Sequence, residues 1–337
     1  MNAKEIIGRL VRVSVVGLSL VLLIAGGCDP AWDGPALDQE RSAPGVVVAH
    51  PDRPVPSDEF QGLSGHVQLI DSLAVSYSIS REEGGLDLDG DPDTCAPNVA
   101  KYSWAMCDGG VDNSIALVGT AISPVLSYLF DNLLGLGLAF EHRTHDLAGA
   151  IAYDLALWPA HAEQLLAPEG HHPYRVALIT RDGPEREIAP PWVLQGARVI
   201  GRTLTAGRFD SRHRVVLGSA DVKDALSIDI YAMQLRATLD YLPDEPGRVM
   251  QMRGVLGGAL RPHDLHKLID LALRDGEVVP VTAYQIRALI HHTLPPDIDL
   301  DGNGEGDAYS FALEFTATGS ELEGLAHSPL PLLLLQD

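Results

Sequence analysis

The chain has 337 residues, with 46 acidic side chains against 24 basic ones and a net charge of −22. That balance argues against nucleic acid as a partner, because phosphate recognition needs clustered Lys and Arg. An apolar fraction of 46% over this length is enough for one large core or two smaller ones.

At the N-terminus, Lys4, Arg9 and Arg12 form a basic stretch, Val13 to Ile24 an apolar one, and Ala25-Gly26-Gly27-Cys28 a small-residue cleavage site ending in cysteine. These residues resemble the lipobox of bacterial lipoproteins, with Ala25 standing where that family usually has Leu. The resemblance implies removal of residues 1–27, a diacylglyceryl thioether on Cys28 and acylation of the new N-terminus. An uncleaved membrane anchor is the alternative. After Cys28 no segment reaches the roughly 18 uncharged apolar residues that a membrane helix needs, so lipid is the expected attachment. At about 0.8 kcal/mol per buried CH₂, two or three acyl chains hold stably. The expected place is the extracytoplasmic cell envelope, at the outer membrane or cell surface. The inner membrane, which Asp29 would signal by the enteric sorting rule, is the alternative.

Residues 28–64 carry Pro30, Pro35, Pro44, Pro51, Pro54 and Pro56, a composition suited to an extended tether. From residue 65 to 337 the pattern is that of a β-rich globular domain. Alternating apolar residues predict strands over 67–79, 150–158, 174–180, 197–205, 213–218, 226–241 and 309–315. In 226–241 the apolar parity shifts between Ile230 and Met233, which predicts a bulge near Ala232. Helical spacing appears over 115–136, where Pro124 breaks or kinks it, and over 262–273 and 282–292. Many strands and few helices predict a mainly β fold, an antiparallel β-sandwich decorated with two or three helices.

Two acidic segments carry the clearest chemistry. The first, within 87–113, holds Asp87, Asp89, Asp91 and Asp93 at alternate positions, with Asp112 beyond it. The second, within 297–308, runs Asp297, Asp299, Asp301, Asn303, Glu305 and Asp307, with Gly302 and Gly304 between. Calcium takes six to eight hard oxygen donors, and carboxylates at alternate positions with glycine at the turn suit it. Counted from Asp299, the donors of the second segment are Asp299, Asp301, Asn303, the carbonyl of Glu305, and Asp307. The second segment resembles the calcium loops of dockerins and thrombospondin type 3 repeats over about a dozen residues, and the first resembles thrombospondin type 3 segments. Ser310 stands where an EF-hand has its bidentate Glu, and Pro92 takes the usual glycine place in the first segment. Cys95 and Cys107, in an exported chain, are expected to form a disulfide; a thiolate metal pair is disfavoured by the absence of C-x-x-C spacing. The combination of lipobox, acidic loops and β segments also resembles lipoproteins of Gram-negative bacteria, a resemblance that brings no activity with it.

Other chemistries find little support. The pairs His263 and His266, His142 and His145, His171 and His172, and His291 and His292 have neither H-E-x-x-H spacing nor a cysteine partner, so zinc is not expected. No G-x-S-x-G nucleophile turn is present, and Gly254-Val255-Leu256-Gly257-Gly258 lacks the Lys-Ser/Thr pair of a phosphate loop. The expected function is therefore a membrane-anchored, calcium-binding module that takes a protein or glycan ligand or serves as a scaffold, more readily than an enzyme. A calcium-dependent hydrolase of glycans or esters is the alternative, with Glu141, Asp154 and Asp240 as its unranked carboxylates.

Overall fold

The computed structural model describes residues 55–56, 63–76, 85–90, 111–116, 137–144, 146–147, 152–165, 172–181, 192–217, 226–245, 247–274, 283–294 and 296–328. All of them belong to one compact unit spanning Pro44–Asp337. The leader, Cys28, nearly all of the tether, Asp91, Asp93, Cys95, Cys107 and most of the expected helix at 115–136 lie outside the described residues.

The chain is mainly β, as its alternation predicts. Its strands are β1 (Val55–Pro56), β2 (Val67–Val75), β3 (Leu138–His142), β4 (Tyr153–Gln164), β5 (Tyr174–Arg181), β6 (Trp192–Ile200), β7 (Thr203–Gly207), β8 (Arg212–Leu217), β9 (Leu226–Tyr241), β10 (Val249–Leu260) and β11 (Tyr309–Ser328). Two helices, α1 (Pro262–Arg274) and α2 (Ala283–Thr293), follow β10. The bulge near Ala232 is present: Ala232 has φ 52°, and its amide donates to the carbonyl of Ser211 at 2.9 Å. Before this kink β9 pairs with β8, and after it with β7.

Following the pairings gives the order β11-β10-β9-β7-β6-β4-β3-β2, and β2 then pairs back onto β11, from Leu313 opposite Val75 to Ser320 opposite Val67. The eight strands thus form a closed antiparallel ring. A ring of this size has an interior just wide enough for side chains to fill. Ile70, Phe140, Leu155, Trp192, Leu194, Leu204, Leu235, Met252 and Phe315 fill it, with the Phe140 and Phe315 rings 5.2 Å apart. On the outside, β6, β9 and β10 expose Arg198, Arg236 and Arg253. Apolar inside and charged outside is the inverse of a barrel wall that faces lipid.

The second halves of β4 and β11 leave the ring and clasp β5 between them, antiparallel to β4 and parallel to β11, with β1 on the far edge. Val176, Leu178 and Leu325 of this smaller sheet pack on Val67, Leu69, Ala139, Ala156 and Trp158 of the ring. Alternation explains that contact: Val67 and Leu69 point to one side of β2, Gln68 and Ile70 to the other, so both faces are buried. The expectation of sheet packed on sheet is met here, while the rest of the ring is a sheet closed on itself.

Candidate metal centre

The two acidic segments, more than 180 positions apart in sequence, both stand on the outer wall where β11 begins. Leu86 and Leu88 of the first pack with Ile298 of the second on Val255 and Ala259 of β10 and Ala308 and Ala312 beside them. The approach is close because Gly257 has no side chain; a Cβ there would lie 2.7 Å from Leu86 Cδ1 and 3.1 Å from the carbonyl of Phe311. Gln234 of β9 pins the segment from the side, donating to the carbonyl of Leu88 at 2.6 Å.

Residues 111–116 form a strap across this platform. The Asp112 amide donates to the Leu86 carbonyl at 2.8 Å. Asn113 donates to the carbonyl of Ser76 at 2.8 Å and accepts from the Ala312 amide at 3.2 Å. Ser114 is buried: its amide donates to Ser310 Oγ at 2.7 Å and its hydroxyl to the Ser310 carbonyl at 3.1 Å. Ser310 in turn gives its amide (2.8 Å) and its hydroxyl to the Asp297 carboxylate. Asp297, read from the sequence as a metal ligand, is thereby engaged as the anchor of the strap. Burial raises its pKa, against the pull of the Ser310 hydrogen bonds.

The strap places Asp112 against Asp87 and Asp89. One carboxylate oxygen from each of the three lies within 4.8 Å of the others. Among the described residues they are the group of His, Cys, Asp or Glu side chains that converges in this way. Asp112 is only 2% exposed. Its Oδ2 accepts from the amides of Leu88 (2.6 Å) and Asp89 (3.4 Å), while its Oδ1 is buried without a hydrogen-bond partner. Burial, helped by the charges of Asp89 and Asp297, pushes the Asp112 pKa up to about 8, although the backbone amides oppose the rise. A buried carboxylate oxygen without a partner costs on the order of 1–3 kcal/mol. A cation bound by the triad would remove that cost and the repulsion with Asp89 together. Three carboxylates with no nitrogen or sulfur donor suit a hard divalent ion.

The terminal loop is arranged differently. An antiparallel bridge between Ile298 and Ala308 closes its base. Asp299 turns inward on the backbone, Oδ1 accepting from the amides of Gly302 (2.8 Å) and Asn303 (3.2 Å) and Oδ2 from Gly304 (2.6 Å). The bond from Gly304 is the main reason that the Asp299 pKa is lowered. Asp301 accepts from the Asn303 amide, Asn303 from that of Glu305, and Asp307 from that of Leu300. Asp307 also meets Arg261 at 3.3 Å. The loop is a string of side-chain-to-backbone turns, with residues 301–306 exposed.

The carboxylates named for hydrolysis are dispersed. Glu141 is fully buried beneath the smaller sheet and accepts from Trp158 Nε1 at 2.8 Å and from the Ser64 amide at 3.3 Å. Asp240 lies between Arg253 (3.0 Å) and Arg202 (3.6 Å). Asp154 sits on β4, where its carbonyl accepts from the Arg143 amide. Of the paired histidines, His142 is buried and shares a 2.8 Å hydrogen bond with Tyr153, and burial lowers its pKa to about 3. Asn113, Ser114 and Ser310, which hold the triad, carry no sequence signal of that role. Compared with known proteins, the chain matches no family model, no curated protein and no solved structure.

Proposed function

We propose that this chain is an exported, lipid-anchored binding or scaffold module whose outer wall holds calcium between Asp87, Asp89 and Asp112. The observations that carry the metal reading are the buried, unpartnered Oδ1 of Asp112 and the convergence of its carboxylate with those of Asp87 and Asp89. Calcium is favoured over other cations because the donors are all oxygen, and because its loose geometry accepts ligands from two separate segments. Magnesium asks for near-ideal octahedra, and zinc for nitrogen or sulfur. The lipobox-like run ending at Cys28 supports export and anchoring, which puts the site where calcium is plentiful. In this reading the ion joins the strap at 111–116 to the segment at 85–90, and so fixes a surface on which a ligand is recognised.

The test is calcium titration of the full chain in mild detergent, by calorimetry and by melting temperature against a chelator. Binding with one equivalent, lost in Asp112→Ala and kept in Asp299→Ala, supports the triad. Two equivalents would add the terminal loop through Asp299, Asp301, Asn303, Glu305 and Asp307. No binding would overturn the metal reading. Replacing Cys28 by Ser should release the chain from membranes; continued membrane attachment would overturn the lipid anchor.

A further inference from the structure

We propose that the end of the ring where β2 meets β3 is an acid-opened gate, in which the buried imidazole of His142 is the group that acid turns against the closed form. This seam lies far from the acidic wall: β2 begins opposite Ser320, whereas the acidic segments stand where β11 starts. Val67–Leu69 of β2 pair with Ala139–Glu141 of β3, and the His142 amide adds one bond to the His66 carbonyl at 3.0 Å. β6 and β7 pair over an equally short stretch, but a tight turn at Gly201 ties them together, while residues 76–137 separate β2 from β3. The seam is thus short and has no turn to hold it.

Its inner side carries polar groups that the closed ring does not satisfy. Alternation turns His142 inward with Phe140, and Gln68 inward with Ile70. Both residues are buried, and His142 Nε2 and Gln68 Oε1 have no hydrogen-bond partner. The other ring nitrogen of His142 is held by the Tyr153 hydroxyl at 2.8 Å. Closing the seam strips water from both groups without replacing it, and an imidazole so placed stays neutral. Opening gives the water back.

The groups around His142 set the sign of the response. From β2, His66 disfavours its protonation further; from β4 it meets Tyr153, with Tyr241 of β9 behind. On β11, opposite Gln68, Gly319 carries His172, whose ring would lie 3.0 Å from a Cβ at that glycine. Burial lowers the His172 pKa, with Arg248 acting in the same sense and the Gly319 backbone, Glu245 and Glu321 against it, so His172 is a second, weaker group of the same kind. Glu141, on the outer face of the seam, works the other way: burial raises its pKa against Trp158, Ser64 and Arg143, so acid neutralises it in the closed form. Closed, His142 takes its proton near pH 3; opened to water, it takes it at the ordinary 6.5. Between those values each unit of acid favours the open form by up to about tenfold, and Glu141 can at most cancel this where it takes up its own proton.

The experiment is hydrogen–deuterium exchange of the full chain in mild detergent and chelator, at about pH 7.5 and about pH 5.5, each rate divided by that of an unstructured chain at the same pH. Corrected exchange over 67–70 and 138–142 should rise in the wild type and by about tenfold in Glu141→Gln, while that of β10 stays level. His142→Gln, which keeps a hydrogen-bonding group toward Tyr153, should abolish most of the rise, and His172→Gln a smaller share. His291→Gln, at an exposed position on α2, should behave as the wild type. A seam whose exchange does not change with pH in the wild type would overturn the gate. An equal rise in β10 would overturn it too, because the whole chain would then be opening. A full rise in His142→Gln would do the same; the first two outcomes are read in the wild type and depend on no variant.

Discussion

The two acidic segments look alike in sequence and are built in opposite ways. In the terminal loop, Asp299 and Asp301 find their partners within a few positions: Asp299 takes the amides of Gly302, Asn303 and Gly304, and Asp301 that of Asn303, while the loop projects into solvent. In the first segment the third carboxylate comes from a strap held by Ser310 and Asn113, and the triad is left with a buried oxygen that nothing satisfies. Local turns answer charge with backbone amides. Long-range packing can bring like charges together and sustain the arrangement, because the surrounding hydrogen bonds over-determine it. The contrast teaches that an alternate-carboxylate pattern records the capacity for metal binding, while the demand for a metal comes from what the fold leaves unpaired.

The sharpest expected effect separates the two segments directly. At a hundredfold excess of calcium over Kd the wild type should gain about 2.7 kcal/mol at a single site. Asp112→Ala should abolish that gain in a calcium melting titration, and Asp299→Ala should retain it. The reverse outcome would make the terminal loop the site and break the comparison.

Next comes pH. Asp112 binds its proton more tightly in the folded chain, near 8, than at the ordinary 3.8 of an unfolded carboxyl. Between those values the native state holds the extra proton, so the calcium-free protein should lose stability as pH rises from about 4 to about 8, on the order of 6 kcal/mol, and then level off. Calcium must displace that proton, so its affinity should climb over the same window. Melting curves in chelator across this range, with Asp112→Asn flattening the slope, are the check.

Gly257→Val tests the platform instead of the ligands. Its new side chain would meet Leu86 and the Phe311 backbone, and overpacking of this kind costs about 1–3 kcal/mol. Lifting the 85–90 segment should also weaken calcium, a joint loss that denaturant melts and titration would record together. The smallest effect belongs to Asp299→Ala without calcium: a modest drop in melting temperature from three lost amide caps, with the core transitions unchanged. A drop as large as that of Gly257→Val would mean that the terminal loop bears on the wall more heavily than its exposure implies.

Much of the β structure was legible because strands with one buried face alternate. Leu226 to Tyr241 announced both its strand and its bulge, since parity can shift only where an extra residue is inserted. β10 was not legible, because Gly254, Gly257 and Gly258 depress strand propensity; they are there for neighbours that approach within contact distance of the backbone. β3 is five residues long and buried on both faces, so it shows no alternation. The predicted strand 197–205 is in fact the hairpin of β6 and β7, turned at Gly201 with φ 64°. β11 runs on to Ser328, well beyond Phe315, because its second half finds β5 and β1, partners that local pattern cannot reveal. Of the site, Asp87 and Asp89 were visible as alternate carboxylates and Asp112 as an outlying acid near them, but nothing local in Ser310 or Asn113 said that they would hold it.

By itself the sequence determined the mainly β class, the strong negative charge, the two helices after β10 and the two places where carboxylates cluster, because each follows from composition or from a period of a few residues. Only the tertiary structure decided that β2 closes the ring against β11, that both acidic segments stand on one wall, and that Asp112 meets Asp87 and Asp89 while Asp297 turns to Ser310. Those outcomes depend on pairings across as many as about 250 positions, where register and burial, not neighbouring residues, choose the partner of each group.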